Sequence, residues 1–218
     1  MNKLNWKIAA ALAVSIAAAG PALAVDVDVK YAWADRENPN PQPQTQVCPV
    51  QLVPAADIRQ NKETVGQTPD FLHVVSGAPL VSGDLAGWVT DGLGSLKSYG
   101  FTVTRATDAT PPREGVLIKP TLTRAYTWQV GLKIFSMVAL KVQFIDRNGV
   151  LQEKYYRAHG DKTNMWGAAS EYSNTLNYGL NNILPAMAKD LVSLCQGRTV
   201  EAYTYSAPEA AVVRTQGR

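Results

Sequence analysis

Apolar side chains recur at helical spacing between residues 84 and 99. Leu85, Trp88, Val89, Leu93 and Leu96 fall on one side of a 3.6-residue turn, which predicts a helix. Gly87, Gly92 and Gly94 each weaken such a helix by about 1 kcal/mol relative to Ala. Packing must therefore hold it, with its glycine-bearing surface set closely on a sheet. Gly100 is suited to end it. Downstream the period changes to two. Val116, Ile118 and Leu122 alternate with Lys119, Thr121 and Thr123, the pattern of a half-buried strand. Leu132, Ile134, Val138, Leu140, Val142 and Phe144 place one apolar face on a longer strand over residues 132–145. The turn Asp146-Arg147-Asn148-Gly149 comes next, where Asn-Gly accepts positive φ, and the return strand covers 150–158. Three antiparallel strands in succession make a meander. Helical spacing returns over 169–195 with Tyr172, Leu176, Leu180, Ile183, Leu184, Met187, Leu191 and Leu194, and Pro185 predicts a kink near residues 181–184.

Elsewhere the signals are shorter. Residues 47–53 carry β-branched side chains beside Pro49 and Pro54, which suits an edge strand. Residues 71–75 and 101–104 form further short strands, Ser82 or Asp84 caps the first helix, and 198–205 supply a last strand. Pro39, Pro41 and Pro43 stand at every second position, so residues 25–46 read as an extended linker. Within it, Tyr31 and Trp33 form either a docking segment or a short edge strand. The fold class expected is α+β. A single domain over 47–205 holds an antiparallel sheet of about five strands, with the meander at its centre and two helices packed on one face. Residues 206–218 are a flexible tail.

The N-terminus changes the setting. Lys3 and Lys7 precede an uncharged apolar run, and Ala22 and Ala24 supply the small side chains that signal peptidase requires. The run is short against ~30 Å of hydrocarbon and Pro21 breaks it. Residues 1–24 are thus expected to be a signal peptide cleaved before Val25, with an uncleaved anchor as the competing reading. Cleavage removes two lysines and lowers the formal net charge from +3 to +1. No basic stripe of the kind nucleic-acid binders carry is present, and no transmembrane segment is expected after the leader. Val25 stands where a lipoprotein would have its lipid-bearing cysteine. Export places the only two cysteines, Cys48 and Cys195, in an oxidising compartment, where they are expected to pair. Free buried thiols are the alternative. The bond is worth up to ~4–5 kcal/mol in the chain-entropy picture.

Candidate chemistry is sparse. His73 and His159 are the only histidines and neither has a second ligand at metal spacing, so neither a metal nor a cofactor is expected. There is no nucleophile elbow and no phosphate loop. Asp146 and Glu153 flank the hairpin and reach towards each other only as turn and solvent-face residues. An enzyme is not expected. The notable group is aromatic: Tyr126, Trp128 and Phe135, close to Lys133, gather around an interruption between two strands. Such a group is either a contact surface or an extension of the core over one end of the sheet. Met165 and Trp166 present the same choice.

The order of elements resembles the YajG-type envelope lipoproteins of Gram-negative bacteria and, more distantly, the auxiliary lipoproteins of envelope ABC transport systems. The resemblance is carried by Asp57-Ile58-Arg59 with Gly66 after it, the helix from Trp88 to Leu96, Ser98-Tyr99-Gly100-Phe101-Thr102-Val103 and the turn at 146–149, over about residues 47–195. It implies an envelope location and an α+β fold. The function expected is that of an exported periplasmic, non-catalytic accessory protein with an envelope protein partner. The alternative is a periplasmic carrier of a lipid or other apolar small molecule held between helices and sheet.

Overall fold

The computed structural model describes residues 24–33, 41–68, 79–165, 168–200 and 203–206. Five short strands come first: β1 (Val25–Val27), β2 (Val50–Leu52), β3 (Ala56–Asp57), β4 (Thr64–Gln67) and β5 (Pro79–Ser82). Helix α1 (Leu85–Gly94) runs into a 3-10 turn (Ser95–Tyr99) and then β6 (Val103–Arg105). The long strands β7 (Val116–Val130), β8 (Lys133–Asp146) and β9 (Leu151–Thr163) come next, then helices α2 (Ala169–Asn181) and α3 (Leu184–Cys195), and β10 (Tyr203–Ser206). The expected signal peptide up to residue 23, the strand at 71–75 with His73, Trp166 and the tail beyond Ser206 lie outside the described residues.

The alternating apolar positions form the antiparallel meander β7-β8-β9, paired from Val116↔Asp146 to Lys133↔Thr163 with one register shift in β7 between Leu122 and Arg124. The sheet around it is not the antiparallel five-strand sheet that the pattern implied. The described residues form one mixed sheet of ten strands, in which six of the nine strand pairings are parallel. The reason lies in β7. It is 15 residues long, and while β8 covers one edge, the other is tiled in sequence by β2, β3 and β4, all parallel to it. A parallel neighbour needs a crossover, and α1 supplies it between β2 and β6. Strands of two to four residues are too short to display a period, so their direction is invisible in a hydropathy pattern.

The helices lie on one face. Leu85, Trp88, Val89, Leu93 and Leu96 of the α1 region, Leu176 and Leu180 of α2, and Met187 and Leu191 of α3 are all buried. They meet Ile134, Val138, Leu140, Val142 and Phe144 of β8. The kink expected in the last helix is a break: Asn182 and Ile183 separate α2 from α3, with Pro185 in the first turn of α3, where its missing N–H costs nothing. The glycine-bearing face of α1 does not rest on the sheet as expected. A Cβ on Gly92 would lie 2.4 Å from a Leu180 methyl of α2 and 3.0 Å from the Tyr31 ring. Helix and sheet touch most closely at α2, where a Cβ on Gly160 would lie 2.4 Å from the Thr175 carbonyl oxygen and 2.7 Å from the Gly179 nitrogen. Ser136 Oγ donates to the same Thr175 carbonyl at 2.6 Å.

Two further features organise this face. Cys48 and Cys195 form a disulfide, with their Cα atoms 5.6 Å apart, tying the approach to β2 to the end of α3. The residues expected to begin an extended linker are ordered into the domain instead. β1 pairs in parallel with β5, Val27 and Val29 are buried, and Tyr31 and Trp33 pack against the core.

Candidate functional site

Strand alternation gives the meander two unlike faces. From β8, the even residues 134–144 point into the core, while Lys133, Phe135, Met137, Ala139, Lys141 and Gln143 point the other way. A register shift between Leu122 and Arg124 changes which β7 residues face outward. Before it, Lys119 and Thr121 lie outward; after it, Arg124, Tyr126 and Trp128 do, opposite Ala139, Met137 and Phe135. Without that bulge the aromatics would turn to the core side.

The outward rows bring the predicted aromatics together. Trp128 is the centre, stacked on Phe135 with ring centroids 5.6 Å apart and on Tyr126 at 6.2 Å. His159, from the facing position on β9, adds an edge contact to Trp128 at 6.0 Å. Met137 stands between Tyr126 and His159 in the same row. Tyr126 is 47% exposed, and the neighbouring turn exposes Val130 and Leu132. Lys133 borders the ledge and binds Asp161 at 2.7 Å. The group is therefore not a lid on the core: it lies on the face away from the helices.

Sequence inspection missed Met137 and His159. Their membership depends on cross-strand register: the turn at 131–132 sets Met137 opposite Tyr126, and the turn at 146–149 sets His159 opposite Met137. Nδ1 of His159 lies 3.2 Å from the Ser136 carbonyl oxygen, an acceptor only, so that nitrogen carries the hydrogen. Partial burial holds its pKa below the ordinary histidine value.

Charge surrounds the ledge. Lys119, Arg124, Lys133, Lys141 and Arg157 share this face with two acids, Glu153 and Asp161. Lys141 binds Glu153 at 2.9 Å and lies over the Tyr155 ring at 5.7 Å. The hydrogen bond from Lys141 holds the Glu153 carboxyl below the usual carboxylate range. Beside the ledge an open groove of about 630 Å³ separates the β3–β4 connection from β7, lined among others by Ile58, Asn61, Arg124, Tyr126 and Met137. Its floor is rigid. Arg59 is almost fully buried, grips Asp57 through Nε and Nη2, and donates to the Thr64 and Lys62 carbonyls at 3.0 and 2.9 Å. Gly66, at φ +137°, lets the chain pass against the Thr127 carbonyl, where any Cβ would collide at 2.3 Å.

The carboxylates weighed for acid–base work do not meet. Asp146 Oδ1 accepts from the Asn148 and Val150 nitrogens at 2.8 Å, closing the turn, and Glu153 faces Lys141 and Gln143. A second polar cluster sits under α3: Lys154 binds Asp190 at 2.7 Å, and the Tyr156 hydroxyl donates to the same carboxylate at 2.7 Å. Burial and the Asp190 charge push the Tyr156 phenol far above its ordinary pKa. Each member has its partner, so the cluster is a strut that pins α3 to β9. Met165 is exposed in the loop before α2, and its nitrogen donates to Glu171 at 3.1 Å. No helix among the described residues is long and apolar enough to cross a membrane.

No protein family matches the chain by sequence, and no curated protein does so. Solved structures do resemble it. A crystal structure from Xanthomonas campestris, assigned to the family DUF330, superposes with a TM-score of 0.53 at 11% identity, covering 80% of this chain and 98% of that one. An uncharacterized protein of known crystal structure gives 0.46 at 11% identity, over 78% and 99%. The PelC dodecamer from Paraburkholderia phytofirmans gives 0.37 at 14% identity, over 69% and 94%. The first of these establishes a shared fold; the other two superpose too loosely to add to it.

Proposed function

We propose that this protein is an exported, non-catalytic accessory protein of the cell envelope that docks a protein partner through the outward face of its meander. The observation that carries the reading is the stack Tyr126–Trp128–Phe135 on a sheet face that no helix among the described residues covers. Exposed aromatic rings bury large area at low entropic cost, and cations around them set orientation. The leader-like N-terminus and the Cys48–Cys195 bond suit a compartment outside the cytoplasm. The resemblance of the chain to the YajG-type envelope proteins points the same way.

The carrier reading places its ligand between helices and sheet. At their closest crossing α2 and β9 meet backbone to backbone, leaving no gap at that point. Site-specific photo-crosslinking tests the docking reading. A photoreactive residue in place of Tyr126 should yield a discrete adduct in the native envelope, and the same residue in place of Lys97, which is exposed beside α1, should not. Equal labelling from both positions, or none from either, would refute it.

A further inference from the structure

The cleft between α2 and β5 lies on the helix side of the sheet, away from the aromatic ledge. We propose that it is a receptor site for an extended peptide, and that residues 25–33 are its built-in ligand. The proposal is independent of the docking face.

The cleft reads main chain. Asn177 Oδ1 accepts from the Ala32 nitrogen at 3.3 Å and Asn177 Nδ2 donates to the Lys30 carbonyl at 3.1 Å. Asn181 Nδ2 donates to the Ala32 carbonyl at 3.4 Å, and Ser173 Oγ to the Asp28 carbonyl at 3.2 Å. β5 adds ladder pairing at Val25–Val27. Ser173, Asn177 and Asn181 recur every four residues and so form one polar stripe along α2. Side chains that recognise backbone amides accept any sequence that lies extended, which is how peptide grooves obtain affinity.

Specificity comes from alternate positions. Val27 and Val29 are buried, while Asp26, Asp28 and Lys30 between them point to solvent. The Tyr31 hydroxyl donates to Asn181 Oδ1 at 2.8 Å, and its ring fills the space left by Gly92. The ligand is therefore an extended segment running parallel to β5, with β-branched residues at alternate positions and a phenol two residues further on.

One amide of the site is oriented without its occupant. Trp88 Nε1 donates to Asn177 Oδ1 at 2.8 Å, fixing which end of that amide accepts and which donates without any help from residues 25–33. With residues 25–33 in place Asn177 and Asn181 are 2% and 0% exposed, and an incoming peptide must restore the bonds that their amides make to this segment. Residues 34–40 join the occupant to the body of the domain. Such tethering keeps a ligand at roughly millimolar effective concentration, so a competing segment enters when the tether is cut or its own affinity is higher.

The test uses the full chain with a protease site introduced into residues 34–40, cut after folding. The released N-terminal fragment should stay bound and then exchange with a fluorescent synthetic peptide of residues 25–33. A Tyr31→Phe peptide should bind about five-fold more weakly, the loss of one hydrogen bond, and a peptide shifted by one residue should not compete. Three results would overturn the proposal: a retained fragment that never exchanges, a domain that unfolds by circular dichroism once the fragment leaves, or equal binding of the Tyr31→Phe and shifted peptides.

Discussion

The two faces of the meander are made by the same three strands and differ in almost everything else. On the inner face, contacts are short and leave no slack: Gly160 against the backbone of α2, Ser136 Oγ on the Thr175 carbonyl, Lys154 and Tyr156 on Asp190. On the outer face, half-buried Trp128 and Phe135 lie beside exposed Tyr126, and the ion pairs are partly open to solvent. The inner face holds the fold together; the outer face is spare surface with chemistry on it. Under the proposed docking role, stability and docking fall to alternate residues of the same strand, so a substitution shifted by one position should change its consequence.

The sharpest contrast is steric. Gly160→Val puts a branched side chain where even a Cβ would collide with main chain, which a rotamer change cannot relieve. We expect a loss above about 3 kcal/mol, beyond the usual range for overpacking. Ala139→Val, on the outer face between Arg124 and Arg157, should stay within about 0.5 kcal/mol. Urea unfolding of both variants checks the pair, and similar losses would erase the distinction between the faces.

Electrostatics gives the next contrast. Asp190→Ala strands Lys154, whose side chain is 4% exposed, and should cost about 3–5 kcal/mol. Lys133→Ala breaks a pair in which the lysine is about half exposed, and should cost less than about 1 kcal/mol. Thermal unfolding at low and high salt separates them, because only the outer pair is open to screening.

The smallest effect is a titration. Burial lowers the pKa of His159 in the folded state below its unfolded value of 6.5. Above pH 6.5 the imidazole is neutral in both states and its contribution is fully present. As pH falls below 6.5 the unfolded chain takes up the proton first, so stability declines towards the depressed folded value. A His159→Gln variant should show a flatter stability profile between pH 7 and 5; an unchanged slope would mean that another group titrates there.

The contrast between long and short elements explains what the sequence made legible. The meander strands run for 13 to 15 residues, so their inner face and the turn at 146–149 could be read directly; the first hairpin could not, because β7 continues past its bulge to Val130 and Leu132, expected on the inner face, is exposed in the turn. The aromatic ledge was visible as a cluster, but its orientation was not, since a one-residue shift near Thr123 decides which way Tyr126 and Trp128 point. The parallel arrangement was hidden because β2, β3 and β4 are held by crossover and tiling on β7 rather than by a pattern of their own. Residues 25–33 are a different case. Val25, Val27, Val29, Tyr31 and Trp33 alternate with Asp26, Asp28, Lys30 and Ala32, a strand signal overshadowed by the prolines after them. The matching signal on the receiving side was Ser173, Asn177 and Asn181, polar residues at four-residue spacing on a helix with apolar neighbours, which must find partners when buried.

A docking role for the outward ledge rests on its three rings. Tyr126→Ala, Trp128→Ala and Phe135→Ala combined in one chain test it most directly, by comparing thermal stability with retention in a fractionated native envelope. The account predicts a melting temperature close to that of the parent and loss of the protein from the fraction holding its partner. A folded triple variant that stays with that fraction as the parent does would contradict it.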